Sequence, residues 1–171
     1  MVHTIVRYGQ PVLEEKAQAI VDFDTPELHQ LIEDMFESMY AARGVGLAAP
    51  QIGVAKRIAV IDVTTGEDPA QKIVLINPEI VAREGAQTGE EGCLSLPTFR
   101  EPVTRAQKVT VKYRDARGAE LEMTGEDLMA RALLHETDHL NGTLYITHIS
   151  PLKRDLIRRK VRKLQKAGEW G

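Results

Sequence analysis

One cysteine, Cys93, stands in 171 residues. A single thiol excludes an internal disulfide, and it suits a reducing, cytoplasmic setting. No apolar run approaches the roughly 20 residues that a membrane helix needs, so no membrane span is expected. The opening residues, Met1-Val2-His3-Thr4, run straight into polar and charged positions. They lack the basic start and apolar stretch of a secretion signal. Repeats, low-complexity tracts and long linkers are absent too. Residues 1–171 are therefore expected to form one domain, long enough to bury a core, with a monomer as the default state. Hydrophobic residues (43%) and charged residues (27%) occur in ordinary globular proportions, which excludes disorder, collagen and coiled coil.

Net charge is −3, and it is unevenly spread. From Pro151 to Gly171 eight Lys/Arg face two acids, a net of +6 that leaves −9 on the rest. An acidic body with a basic end points to an anionic partner for that end, or to a solvated helix face.

Thr25-Pro26-Glu27 opens the first helix: a capping threonine, proline in the first turn and an acid at the positive end. Leu28, Leu31, Ile32, Met35, Phe36 and Met39 give it one apolar stripe, and Arg43-Gly44 ends it. Strands are expected over Arg57–Val63, Ile73–Asn77 and Val109–Tyr113, with a shorter one at Leu121–Met123. Asp115-Ala116-Arg117-Gly118 reads as the hairpin turn between the last two. Thr124-Gly125-Glu126-Asp127 reads as a helix-start box with Thr124 as cap. Its helix runs to His139 or Leu140 and stops at Asn141-Gly142. A further turn and strand precede His148. Ser150-Pro151 starts a basic C-terminal helix over about 151–167, with Leu152, Leu156, Val161 and Leu164 as its apolar seam. The pattern implies an α+β fold: mostly antiparallel strands packed around the central helix, with a last helix behind them.

That central helix carries His135-Glu136-Thr137-Asp138-His139. Histidines four apart share one helix face and can bind one metal ion. Glu136 beside them can act as general base on a water. Leu128 and Ala132 precede His135 on the same face, so the ligands continue an apolar stripe. A catalytic site needs a third protein ligand and an open position. The extended protease motif would put histidine at 145, where Tyr145 stands. Other proteases take a glutamate from a later helix, but only Glu169 follows His139. His148 is a weaker candidate, set after a turn. Cys93 is the stronger one, because a thiolate is a good ligand for zinc or ferrous iron. The bland alternative for Cys93 is a small buried hydrophobe. Gly44-Val45-Gly46-Leu47-Ala48-Ala49-Pro50-Gln51 carries little bulk, so another backbone can approach closely, and Gln51 could donate to an oxyanion. Taken alone, the segment also reads as a loop that ends a helix.

Together, Gly44–Gln51, Glu91–Ser95 and His135–Leu140 resemble, in order and spacing, the three motifs of the peptide deformylases: G-x-G-L-A-A-x-Q, E-G-C-L-S and H-E-x-x-H-L. The resemblance spans nearly the whole chain. It implies a metal-dependent amidase that removes the formyl group from N-formylmethionyl nascent peptides and releases formate. It also implies Cys93, His135 and His139 as metal ligands, with ferrous iron in the cell and zinc, nickel or cobalt as alternatives. Glu136 would be the general base, with the Gln51 side chain and the Leu94 backbone N–H as oxyanion donors. The peptide would lie extended against Val45, Gly46 and Gly89. Its methionine would enter a pocket of Val45, Leu128, Ala132 and His135. Arg131 falls at the mouth of that pocket, where many relatives carry an aliphatic residue. The basic C-terminal helix would dock on ribosomal RNA. Apart from the resemblance, Glu91 beside the cysteine and Arg105 in the next strand are expected to pair and hold Cys93 in place, or else to form an ordinary surface pair. Two other readings stay open: an H-E-x-x-H protease that does without Cys93, and a metal-binding module without catalysis, which leaves Glu136 no role.

Overall fold

The computed structural model describes residues Met1–Gly171. Helix α1, Pro26–Ala41, starts as expected, with the Thr25 side chain accepting from the Leu28 N–H. A five-stranded antiparallel sheet runs in the order β1 (Gly46–Ala48), β2 (Ile58–Ile61), β3 (Ile73–Glu84), β6 (Lys108–Arg114) and β7 (Glu120–Glu126). A separate hairpin pairs β4 (Gln87–Cys93) with β5 (Leu96–Arg105). Helices α2 (Asp127–Leu140) and α3 (Pro151–Lys166) complete an α+β fold.

Strand alternation sorts the core. In β2, Ala59 and Ile61 pack with Leu133 and Leu134 of α2, while Ile58 and Val60 pack with Met35, Phe36 and Met39 of α1. Successive side chains of a strand face opposite ways. The wholly buried run Ile-Ala-Val-Ile is therefore what a strand covered on both faces needs. Helix α2, which carries the two histidines, lies directly on the sheet. The α3 side chains Ile157 and Val161 form a third cluster with Leu96, Val103 and Tyr145.

The structure corrects several expectations. Thr124 does not cap α2. It sits in β7, where its hydroxyl lies 2.8 Å from that of Thr110 on β6. The helix starts three residues later, after Glu126, with no side-chain cap. Gly125 allows this exit, because a Cβ there would sit 2.5 Å from Met129 Cγ. Strand β3 continues seven residues past Asn77. Asn77-Pro78 reads as a breaker, yet here Asn77 adopts φ 51° at a bulge. Its amide bonds both the N–H and the C=O of Ile20 at 2.9 Å, which fixes that bulge. The strand expected before His148 is a 3₁₀ turn, Tyr145–His148, whose apolar residues plug the core. A short apolar run does not distinguish the two by periodicity. The buried seam of α3 is Ile157 and Val161, with Leu164 packed against it, whereas Leu152 and Leu156 are exposed.

Candidate metal centre and active site

Helix α2 turns His135 and His139 to the same side, and the end of β4 brings Cys93 to meet them. Cys93 Sγ lies 3.2 Å from His139 Nε2, and the two Nε2 atoms lie 3.2 Å apart. All three donor atoms fall within 4.8 Å of one another. A tetrahedral ion with ordinary nitrogen and sulfur bonds separates its donors by about 3.3–3.6 Å, which the two 3.2 Å separations approach. The donor chemistry fits as well. Burial opposes ionisation of Cys93, yet His139 and His135 hold its thiol down to about 5. The thiolate that a metal requires is thus the favoured form. His148 lies elsewhere, with its Nε2 2.9 Å from Asp138 Oδ2. Tyr145 stacks on the His135 ring at 6.3 Å.

Glu136 is buried and its Oε1 has no hydrogen-bond partner. Burial pushes its carboxyl up, toward holding a proton. Gly46 makes room for it: a Cβ on Gly46 would sit 2.5 Å from Glu136 Oε2. Gln51 is oriented by the first motif. Its Oε1 accepts from the Ala48 N–H at 3.0 Å, which turns its amide nitrogen toward Cys93 Sγ (3.5 Å) and Ser95 Oγ (3.2 Å). Leu94 follows Cys93 in the turn between β4 and β5.

These groups share a cavity of about 490 Å³. Val45 and Gly46 line one side, Leu128, Ala132 and Arg131 another. Gly89 is near neighbour to this wall, since a Cβ there would lie 3.4 Å from Arg131 Nη2. Arg131 lines the cavity, but it is buried and tied down rather than loose at the mouth. Its Nη1 donates to Glu91 Oε1 at 2.8 Å and to the Val103 carbonyl at 3.1 Å. The remaining wall comes from Pro97, Phe99 and Arg100 of β5. Sequence reasoning missed these residues, because two prolines and three charged residues in β5 leave no alternation to read.

Glu91 and Arg105 do pair. Arg105 donates Nε to Oε1 (3.1 Å) and Nη2 to Oε2 (2.7 Å), and its Nη1 reaches Asp138 Oδ2 at 2.6 Å. Glu91 Oε2 also lies 2.6 Å from His135 Nδ1. A carboxylate on the far nitrogen fixes the ring and leaves Nε2 for a metal. Burial works against the Glu91 charge, but His135 and Arg105 overcome it and hold the carboxyl far below its usual range. Removing one partner of a buried pair strands the other charge. Arg105→Ala is therefore expected to cost about 3–5 kcal/mol of stability and to weaken metal binding by roughly 10–100-fold. Urea unfolding and metal titration check both; unchanged metal affinity and turnover would remove the role of the pair.

Fold and site point to a class: a metal-dependent hydrolase, with two histidines of a helix and a cysteine from a neighbouring hairpin grouped so that they could hold the ion. Comparison with known proteins supplies the family. The family model for polypeptide deformylase matches residues 2–155. The chain is 57% identical over 170 residues to the peptide deformylase of Acidobacterium capsulatum, with 99% of each chain covered. It superposes on the crystal structure of the Legionella pneumophila peptide deformylase with a TM-score of 0.90, at 46% identity and 98% coverage of both chains. The Plasmodium falciparum peptide deformylase gives a TM-score of 0.88 at 32% identity, covering 95% of both. The chain belongs to the polypeptide deformylase family. It is a metal-dependent hydrolase that removes the N-formyl group from nascent polypeptides. No helix of the chain is long and apolar enough to cross a membrane.

Proposed function

We infer that Cys93, His135 and His139 hold one divalent ion, ferrous iron in the cell, and that the same donors accept zinc, nickel or cobalt. When bound, such an ion acidifies water and draws electron density from a carbonyl. Glu136 takes the proton of the attacking water and delivers it to the departing methionine nitrogen. The Gln51 amide and the Leu94 backbone N–H donate to the formyl oxygen as it gains negative charge. Water is consumed, the formyl C–N bond breaks, and formate and a free methionine amine are left. The observation that carries this reading is Glu136: a buried carboxylate with an unpartnered oxygen, in the same cavity as Cys93 and His135.

The peptide lies extended between two strand edges. β1 pairs only with β2, and β4 only with β5, so each has an open edge. Backbone at Val45, Gly46 and Gly89 is placed to pair with an added strand. The methionine side chain enters among Val45, Leu128, Ala132 and His135, with Arg131 as a polar wall. Anaerobic purification, metal analysis and a formate assay on one sample test the reading. Formate released in proportion to iron content is expected; an iron-loaded sample that releases none from a formyl-Met peptide would overturn it.

The protein works in the cytoplasm as a monomer, and α3 docks it on ribosomal RNA. Charge supports this: Lys153, Arg159, Lys160 and Lys163 are exposed on α3. Reversing Arg159 and Lys163 to glutamate removes cations without touching the buried Ile157 and Val161. Ribosome co-sedimentation of that variant is expected to fall, and the salt slope of binding to flatten. Unchanged binding across salt would remove the docking role.

A further inference from the structure

A nascent polypeptide does not end where the catalytic cavity ends. Beside that cavity lies a second groove of about 710 Å³. Its walls are the N-terminal segment Thr4–Arg7, the turn at Gln10–Val12, and Ala42 just beyond α1. Leu94, Pro97 and Gly171 complete it, and Leu94 and Pro97 also line the catalytic cavity. The two spaces therefore share a wall at the very loop that follows Cys93.

The segment flanking the groove belongs to no sheet, and every second N–H along it is bonded to a neighbouring segment. The Val6 N–H donates to Gln51 O at 2.7 Å and the Tyr8 N–H to Ser95 O at 2.8 Å. These residues are two apart, as in an extended chain, where successive N–H groups face opposite sides. The N–H groups of Ile5 and Arg7, between and before them, bond no other backbone group. Two N–H groups free of backbone partners, beside half-buried Ile5, Val6 and Val12, suit an extended peptide, read mainly through its backbone and accepting apolar residues.

The geometry points to this groove as the path of the downstream substrate: the residues of the formylated polypeptide that follow those held in the catalytic cavity. The proposal rests on the deformylase reading above. Its occupant is set by continuity, because a chain threaded past Leu94 and Pro97 meets the groove next.

The test compares a three-residue and a ten-residue formyl-Met peptide with the same first three residues, on the metal-loaded protein. Binding that is uniform between ground and transition states lowers KM and leaves kcat alone. The longer peptide is expected to show a kcat/KM about tenfold higher, carried by KM, as a few added backbone hydrogen bonds allow. Thr4→Glu combined with Pro11→Glu places two acids at exposed positions of the groove, outside the catalytic machinery. In that variant the long peptide should lose its advantage when its tail is acidic and keep or increase it when the tail is basic. The three-residue peptide should turn over as before, which also shows that the variant folds. Equal kcat/KM for short and long peptides, or a variant blind to tail charge, would overturn the proposal. Length-independent rates, with dimerisation that the same substitutions abolish, would assign the groove to a second copy and overturn it too. Absence of formate from the three-residue peptide would instead overturn the deformylase reading itself.

Discussion

Replacing Glu136 with glutamine is expected to cut formate release by about 10²–10⁴-fold while leaving the fold and the bound metal in place. The substitution keeps shape and removes only the ability to take a proton. Glu136 Oε1 has no partner to lose, so the packing cost is small. Gly46 limits the alternatives, since its backbone lies against the Glu136 carboxylate and leaves no room for a bulkier side chain. The drop should fall on kcat, because a proton acceptor acts in the transition state rather than in binding. A metal-binding module without catalysis predicts no such loss. Full turnover by the glutamine variant would therefore dismiss the proposed base.

Replacing Cys93 with alanine is expected to have a comparable effect by a different route. Two histidines remain, spaced 3.2 Å between their Nε2 atoms, but one of three protein donors is gone. Loss of an outer-shell partner already costs 10–100-fold in metal affinity, so loss of a ligand should cost more than about 10²-fold. Metal per chain after dialysis should fall, and formate release should fall with it. Cys93→Asp offers oxygen in place of sulfur and should recover part of both. This pair of variants also separates the deformylase from an H-E-x-x-H protease, which has no use for a cysteine 42 residues before its first histidine. If Cys93→Ala keeps full metal content and full turnover, the third ligand lies elsewhere.

The parts of the site that come from one regular element were legible in the chain. His135, Glu136 and His139 follow from helical spacing alone, and the mismatch at Tyr145 and Glu169 pointed upstream for a third donor, to Cys93, which the structure groups with both histidines. Helix α1 was legible for the same reason, with a capping threonine, a first-turn proline and one apolar stripe. What was hidden depends on elements whose pairing replaces pattern. β4, Gln-Thr-Gly-Glu-Glu-Gly-Cys, has no apolar alternation, and β5 carries Pro97 and Pro102. Each becomes a strand because the other supplies its hydrogen bonds. Phe99 and Arg100 in the cavity wall were lost with them. Arg131 was seen as a pocket residue, but not as a buried cation on Glu91, because its partner lies 40 positions away. Thr124 shows the converse error. Its local capping signal is real, yet cross-strand pairing with Thr110 outweighs it. In α3, Val161 and Leu164 of the expected seam pack inward, but Ile157 takes the place of Leu152 and Leu156, which are exposed.

A buried network of charges lies behind His135. Glu91 is held by two arginines and by His135, and Arg105 continues to Asp138 and through it to His148. The orientation of His135 is thereby coupled to charges on two strands and a 3₁₀ turn. Such a network is costly to break and leaves the imidazole little freedom.

The most direct test of the central claim measures formate and metal on the same samples of the wild type and of Glu136→Gln. Each is given a formyl-Met peptide. The account predicts equal metal per chain in both, one formate per free methionine amine in the wild type, and almost no formate from the variant. Equal formate from both samples, or formate that persists after the metal is removed, would contradict it.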